Sequence, residues 1–161
     1  RETLDINPRQ AVARVGYAMC LVETRRYKDA RDWLDESTRL FPDRTEFKIG
    51  LARVLATSPD DRVRDGRRAL EITPELFKGQ RTTALGETIA MALAETGDYE
   101  QAIAIQRDVM RAAKQAGLTS QLPHMAANLT LYERRQPSRT PWTADELSIV
   151  QAPNRPRMWH Q

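Results

Sequence analysis

Gly97-Asp98-Tyr99-Glu100-Gln101-Ala102 decides how this chain is read. A glycine able to take the left-handed conformation can end one helix, and Asp98 with Gln101 three residues on can cap the start of the next. A similar stretch stands upstream as Arg26-Tyr27-Lys28-Asp29-Ala30, with Ala30 and Ala102 separated by 72 residues, two periods of 34 plus four. The period of 34 also separates Pro8 from Pro42, which close the similar stretches Leu4-Asp5-Ile6-Asn7-Pro8 and Arg39-Leu40-Phe41-Pro42. Self-similarity at a fixed period of about 20–50 residues marks a repeat architecture rather than a single layered core.

The periodicity between these markers is helical. Val15, Ala18, Met19 and Val22 follow the i, i+3, i+4, i+7 spacing of an amphipathic helix, as do Ile89, Ala92 and Leu93; Ile103, Gln106, Arg107 and Met110 do so less cleanly. Thr45 to Thr57 reads as a helix with Phe47, Leu51 and Leu55 inward, and Ser58-Pro59-Asp60-Asp61 then breaks it. Arg64-Asp65-Gly66 precedes Ala69-Leu70-Glu71-Ile72, and Pro74 predicts a kink or a short helix restarting over Thr73 to Lys78. Ala30 and Ala102 are small where two helices must approach closely, and a larger side chain would overpack them.

These residues resemble the tetratricopeptide repeat, a helix–turn–helix unit of 34 residues, from position 1 to about position 135. In the unit Ala11 to Arg44 the family's small first-helix position falls on Ala18, its tyrosine on Tyr27, its alanine on Ala30, its large apolar residue on Leu34 and its closing proline on Pro42. In the unit starting at Thr83 the matches are Ala90, Leu93, the Gly97-Asp98-Tyr99 turn and Ala102. Arg14 and Gly86 stand where the family often has tryptophan, and Gln106 replaces its large apolar residue.

The resemblance implies an all-α fold, a right-handed superhelix of about three helix pairs with a C-terminal cap helix and an irregular, proline-rich tail. The array is expected over 1–135: the end of a preceding repeat at 1–10, a repeat at 11–44, an irregular repeat at 45–81, a repeat at 82–117 and the cap helix at 118–135. In the cap helix, Leu122, Met125, Ala126, Leu129 and Tyr132 form an apolar stripe, which stacked repeats need to cover their last face. Because Leu4 to Pro8 matches the end of a repeat, the parent protein is expected to extend further towards its N-terminus. The stretch Arg64-Asp65-Gly66-Arg67-Arg68-Ala69-Leu70 is similar to extended turns in arrays of larger, multi-domain bacterial proteins.

The tail, 136–161, differs in kind. Pro137, Pro141, Pro153 and Pro156 exclude a long helix, while Thr143-Ala144-Asp145-Glu146 forms a capping box for a short one through Leu147, Ile149 and Val150. Trp142 and Trp159 are exposed unless they dock. Either the tail folds back on its own helices, or it occupies the groove of this or a neighbouring molecule.

Composition excludes several functions. Among 161 residues, 40% are hydrophobic and 29% charged, with no run near the roughly 18 apolar residues of a spanning helix, so a soluble domain without membrane insertion is expected, cytoplasmic or periplasmic. Mean hydropathy is −0.62. A net charge of +3 arises from interspersed signs rather than from a basic stripe, which argues against nucleic-acid binding. The single cysteine, Cys20, is read as a buried structural thiol. With His124 and His160 it offers no zinc spacing, and Gly79, Gly86 and Gly97 lack the context of a phosphate loop. No catalytic residue, metal or cofactor is expected, and the chain is read as no enzyme.

The resemblance instead implies a concave surface, lined by the first helix of each unit, that binds an extended or helical segment of a partner protein. In this chain it would carry Val12, Val15, Met19, Val22 and Glu23, then Ile49, Arg53 and Ala56, then Glu87, Met91 and Glu95. Val15 and Met19 occupy places where one subclass clamps a chaperone's C-terminal carboxylate with polar residues, so that ligand is disfavoured. A groove of Val, Ile and Met with Arg53 and Glu87 as polar handles suits an apolar or amphipathic segment. The expected function is a scaffold or adaptor for a protein or peptide partner. Its rivals are self-assembly into a homo-oligomer through the repeat end or the tryptophan tail, and docking for an enzyme domain elsewhere in the parent protein.

Overall fold

Asn7 and Pro8 open the first helix. In the computed structural model, which describes residues 5–74, 82–143 and Glu146, the Gln10 amide donates to Asn7 Oδ1 at 2.8 Å and the Asn7 amide donates to Gln10 Oε1 at 3.3 Å. This reciprocal cap satisfies two otherwise orphaned donors, and Pro8 takes the first helical position, where no amide partner is needed. The described part of the segment read as the end of a preceding repeat therefore starts a helix: α1 spans Pro8–Glu23. Pro42, one period later, lies in the turn ahead of α3.

The remaining helices are α2 Tyr27–Leu40, α3 Thr45–Thr57, α4 Gly66–Ile72, α5 Thr83–Glu95, α6 Tyr99–Gln115 and α7 Leu122–Glu133, the last preceded by a 3-10 turn at Thr119–Gln121. No strand occurs among the described residues. α1 packs on α2, α3 on α4 and α5 on α6, while α3 also packs on both α1 and α5, and α7 closes against α6. This is an all-α helical repeat solenoid, with first helices α1, α3 and α5 in a row.

Local chemistry sets each turn. Gly97 has φ +90° between α5 and α6, and the Gln101 amide donates to Asp98 Oδ1 at 3.2 Å. At the corresponding turn between α1 and α2, Arg25 adopts φ +63°, the same left-handed backbone carried by a residue with a side chain. Asp65 caps α4, accepting from the Arg68 amide at 3.0 Å. α4 ends at Ile72, and Thr73 and Pro74 continue as a 3-10 turn, as the proline requires; the expected restart beyond Pro74 lies outside the described residues.

Packing accounts for the departures from the repeat pattern. Ala30 and Ala102 are fully buried at helix crossings. A Cβ on Gly86 would stand 2.4 Å from Val109 Cγ2, so α5 and α6 approach too closely there for any side chain. Near Arg14 the aromatic bulk comes from α2 instead. The Trp33 ring lies 4.0 Å beneath the Arg14 guanidinium carbon, Trp33 Nε1 donates to the Arg14 carbonyl at 2.9 Å, and Tyr17 meets the indole edge-on. Gln106 is buried and donates from Nε2 to the Met125 carbonyl at 3.0 Å, tying α6 to the closing helix.

Cys20 is exposed, contrary to its reading as a buried thiol. It lies with Ala13, Tyr17 and Thr24 on one outward stripe of α1, while Ala11, Ala18, Met19 and Leu21 take the buried side.

Candidate functional site

Met19 and Arg53, 34 residues apart, each stand four residues before the end of α1 and α3, while Glu87 stands eight before the end of α5, one turn earlier, because four extra residues precede the third unit. All three line one cavity of about 320 Å³, with Val15, His124 of α7, and Trp142 and Glu146 of the tail. Arg53 sits at its centre with only 2% of its surface exposed. A buried guanidinium must be paired and hydrogen-bonded, since desolvating an isolated charge is prohibitive.

Five acceptors meet that need. Arg53 Nε donates to Thr88 Oγ1 at 2.9 Å, Nη1 to Glu146 Oε2 at 2.9 Å and to the Pro141 carbonyl at 3.2 Å, and Nη2 to the Ala84 carbonyl at 3.3 Å and Glu87 Oε2 at 3.4 Å. The other oxygen of Glu87 accepts from His124 Nε2 at 3.0 Å, and that nitrogen lies 3.9 Å from Glu146 Oε1. Two carboxylates thus share one guanidinium, with an imidazole completing the cluster.

The tail reaches this cluster by turning back after α7. The Gln136 amide donates to the Leu131 carbonyl at 2.8 Å, ending the helix, and Arg135 takes φ +56°. Arg139 Nη1 then donates to Glu95 Oε2 at 2.6 Å, on the last turn of α5. Pro141 and Trp142 are buried, the indole joining the core cluster that holds Met19, Leu34 and Met91. Gly50 of α3 leaves room for it, since a Cβ there would already stand 3.6 Å from Trp142 Cζ2 and 3.2 Å from Leu34 Cδ2. Thr143 and Glu146 form the expected capping box, each backbone amide donating to the other's side chain at 3.3 Å. This places the Glu146 carboxylate against Arg53. The helix expected to continue through Val150, and Trp159, lie outside the described residues.

A second ion pair steadies the Glu95 end. Arg64 Nε donates to Glu95 Oε1 at 2.9 Å and Nη2 pairs with Asp61. Burial works against the Arg64 charge, but Asp61 and Glu95 outweigh it and hold the guanidinium above its ordinary range. Behind the groove, burial and then the negative charge of Glu87 raise the Tyr132 phenol above the usual tyrosine value.

The tetratricopeptide-repeat family model matches residues 1–54, covering α1, α2 and most of α3. Residues 1–54 thus match the tetratricopeptide-repeat family. No curated protein and no solved structure matches it. Tetratricopeptide repeats in general serve protein–protein interaction.

The groove residues read from the sequence fall in several places. Val15, Met19, Arg53 and Glu87 line the central cavity, Met91 lies in the core beneath Trp142, and Glu95 meets Arg139 of the tail. Val22 and Ala56 pack in the same core, and Ile49 packs instead against the cluster of Leu85 and Ile89. Val12 and Glu23 are exposed at the edge of α1. Of the two tail tryptophans, Trp142 is docked rather than exposed.

Sequence reasoning missed His124, Thr88, Arg139 and Glu146 as members of the site. The repeat register points from Arg53 to Met91, 38 residues on, and it is Glu87, one turn earlier on α5, that meets Arg53. Chemically the cluster lacks an unpaired base beside a nucleophile, and its carboxylates are committed to Arg53. Among the described residues no group of three His, Cys, Asp or Glu side chains could hold a metal ion, and no helix is long and apolar enough to cross a membrane. The arrangement is suited to holding an apolar side chain next to a carboxylate.

Proposed function

We propose that this protein is a non-catalytic adaptor whose concave groove, over an array ending at α7, binds an apolar or amphipathic segment of a partner protein. The observation that carries this reading is that the groove accommodates a peptide segment already: Pro141 and Trp142 lie buried across α1, α3 and α5, and an open cavity remains beside them. Burying an apolar side chain there contributes about 1.5–3 kcal/mol. Several such contacts, after association costs, suffice for the roughly 8 kcal/mol of micromolar binding.

The test is affinity capture from source-cell lysate with the parent chain and with Val15→Glu. Val15 is half-buried at the cavity wall, so a glutamate there blocks the groove while reaching solvent; at Met19, which is 3% exposed, it would charge the core. The expected result is a protein retained by the parent and lost with the variant at unchanged helicity. An identical retained set for both chains moves the site off the groove. A self-assembly reading draws on Val12 and Tyr17, which are 55% and 47% exposed on α1. A mass by light scattering that rises with concentration, and is reduced by Tyr17→Lys, would favour it.

A further inference from the structure

We infer that residues 139–143 together with Glu146 are a built-in ligand of the groove, and that the partner is a protein segment of the same chemistry which must displace them. The inference rests on the groove reading and specifies both the partner and its regulation.

The tail binds through three side chains at fixed spacing. Arg139 pairs with Glu95, Trp142 three residues later enters the core over Gly50, and Glu146 four residues after that meets Arg53. Each receptor group is built for its occupant. Glu95 faces Arg64 and Arg139 together, the missing side chain at Gly50 makes space for an indole, and Arg53 is buried with a single carboxylate, Glu87, supplied by the array itself. Arg53 also donates to the Pro141 carbonyl, so the groove reads the backbone as well as the side chains of its occupant.

A partner segment with a basic residue, an aromatic residue three positions on and a carboxylate four positions beyond it reproduces all three contacts. The last two belong on an extended stretch leading into a capped helical turn, since Thr143 and Glu146 cap one another. A segment tethered in the same chain competes at millimolar effective concentration. The groove is therefore open in only a small fraction of molecules, and apparent partner affinity falls by that fraction. Local release of the tail becomes the step that admits the partner.

The test uses a fluorescein-labelled synthetic peptide of residues 137–150 and four chains of 161 residues: the parent, Trp142→Ala, an Arg139→Ala/Glu146→Gln double variant that keeps the indole, and Trp142→Ala combined with Val15→Glu. Anisotropy reads binding, circular dichroism checks folding and light scattering gives mass. The peptide is expected to bind Trp142→Ala at least about tenfold more tightly than the parent, because opening removes the tethered competitor. The double variant should also bind more tightly than the parent, and it carries the test if Trp142→Ala does not fold. Addition of Val15→Glu should abolish binding.

Equal affinity for parent and opened chains overturns the inference, as does no binding to folded, opened chains. A dimeric mass for the parent, lost in Trp142→Ala, also overturns it by giving the groove to a second copy's tail. If a natural partner is retained equally by parent and opened chains yet lost with Val15→Glu, the groove reading stands and the tail's role falls. If the peptide binds the opened chains regardless of Val15→Glu, the groove reading falls.

Discussion

Replacing Arg53 by methionine should expose how strongly the groove depends on one buried charge. Methionine preserves much of the aliphatic stem but removes five hydrogen bonds from a side chain that is 2% exposed. Some partners recover: Thr88 Oγ1 still donates to the Ala84 carbonyl at 2.7 Å, and Glu146, 23% exposed, can turn to water. Glu87 cannot, because its side chain is 4% exposed and keeps only His124 at 3.0 Å. Removing one member of a buried ion pair costs about 3–5 kcal/mol, and the remaining imidazole contact places this case near about 3. For a chain of 161 residues each kcal/mol shifts the midpoint by about 2–4 °C, so Tm should fall by about 6–12 °C. Urea and thermal unfolding followed by circular dichroism measure the loss. An Arg53→Met/Glu87→Leu double variant should recover most of it, since no uncompensated charge is left. A loss below about 1 kcal/mol in the single variant, or a double variant less stable than the single, would refute the account of Arg53 as the charge that holds the groove together.

Tyr132→Phe should leave stability unchanged or raise it by up to about 1 kcal/mol, because the hydroxyl is buried without a hydrogen-bond partner among the described residues. The same variant should flatten the alkaline limb. The folded-state phenol is raised above the usual value of 10.0, so above that pH the unfolded state releases a proton that the folded state keeps, and stability present below it is lost as pH rises; urea midpoints between about pH 8 and 11 test this. Arg25→Gly should stabilise by about 0.5–1 kcal/mol, since a side chain at φ +63° is strained where glycine is not, and differential calorimetry would register the gain. Gly86→Ala should destabilise by about 1–3 kcal/mol despite alanine's better helix propensity, as its Cβ would meet the stiff Val109 at 2.4 Å; an unchanged urea midpoint would contradict the close approach of α5 and α6.

The helices and their turns were legible in the sequence because the forces that set them act within a few residues. Asp98 with Gln101, Gly97 and the apolar spacing of α1 and α5 are local signals, and the 34-residue period converts them into stacked pairs. The repeat register made Met19, Arg53 and Met91 visible as equivalent positions on successive first helices, but Glu87 stands one turn away from that row. Other features depend on how the stacked helices curve. The apolar spacing of α1 already put Cys20 off the inward stripe, whereas the exchange of aromatic bulk between Arg14 and Trp33 requires the two helices to be seen packed. His124 meets Glu87 across 37 residues, and Glu146 meets Arg53 across 93. Thr143 and Glu146 announced a helix start, but not that its carboxylate would complete a buried cluster. Sequence determined the repeat, its caps and the composition of the concave face through short-range preferences. Only the tertiary structure decided what fills that face, because a long-range contact forms where shape, volume and charge from separate helices coincide.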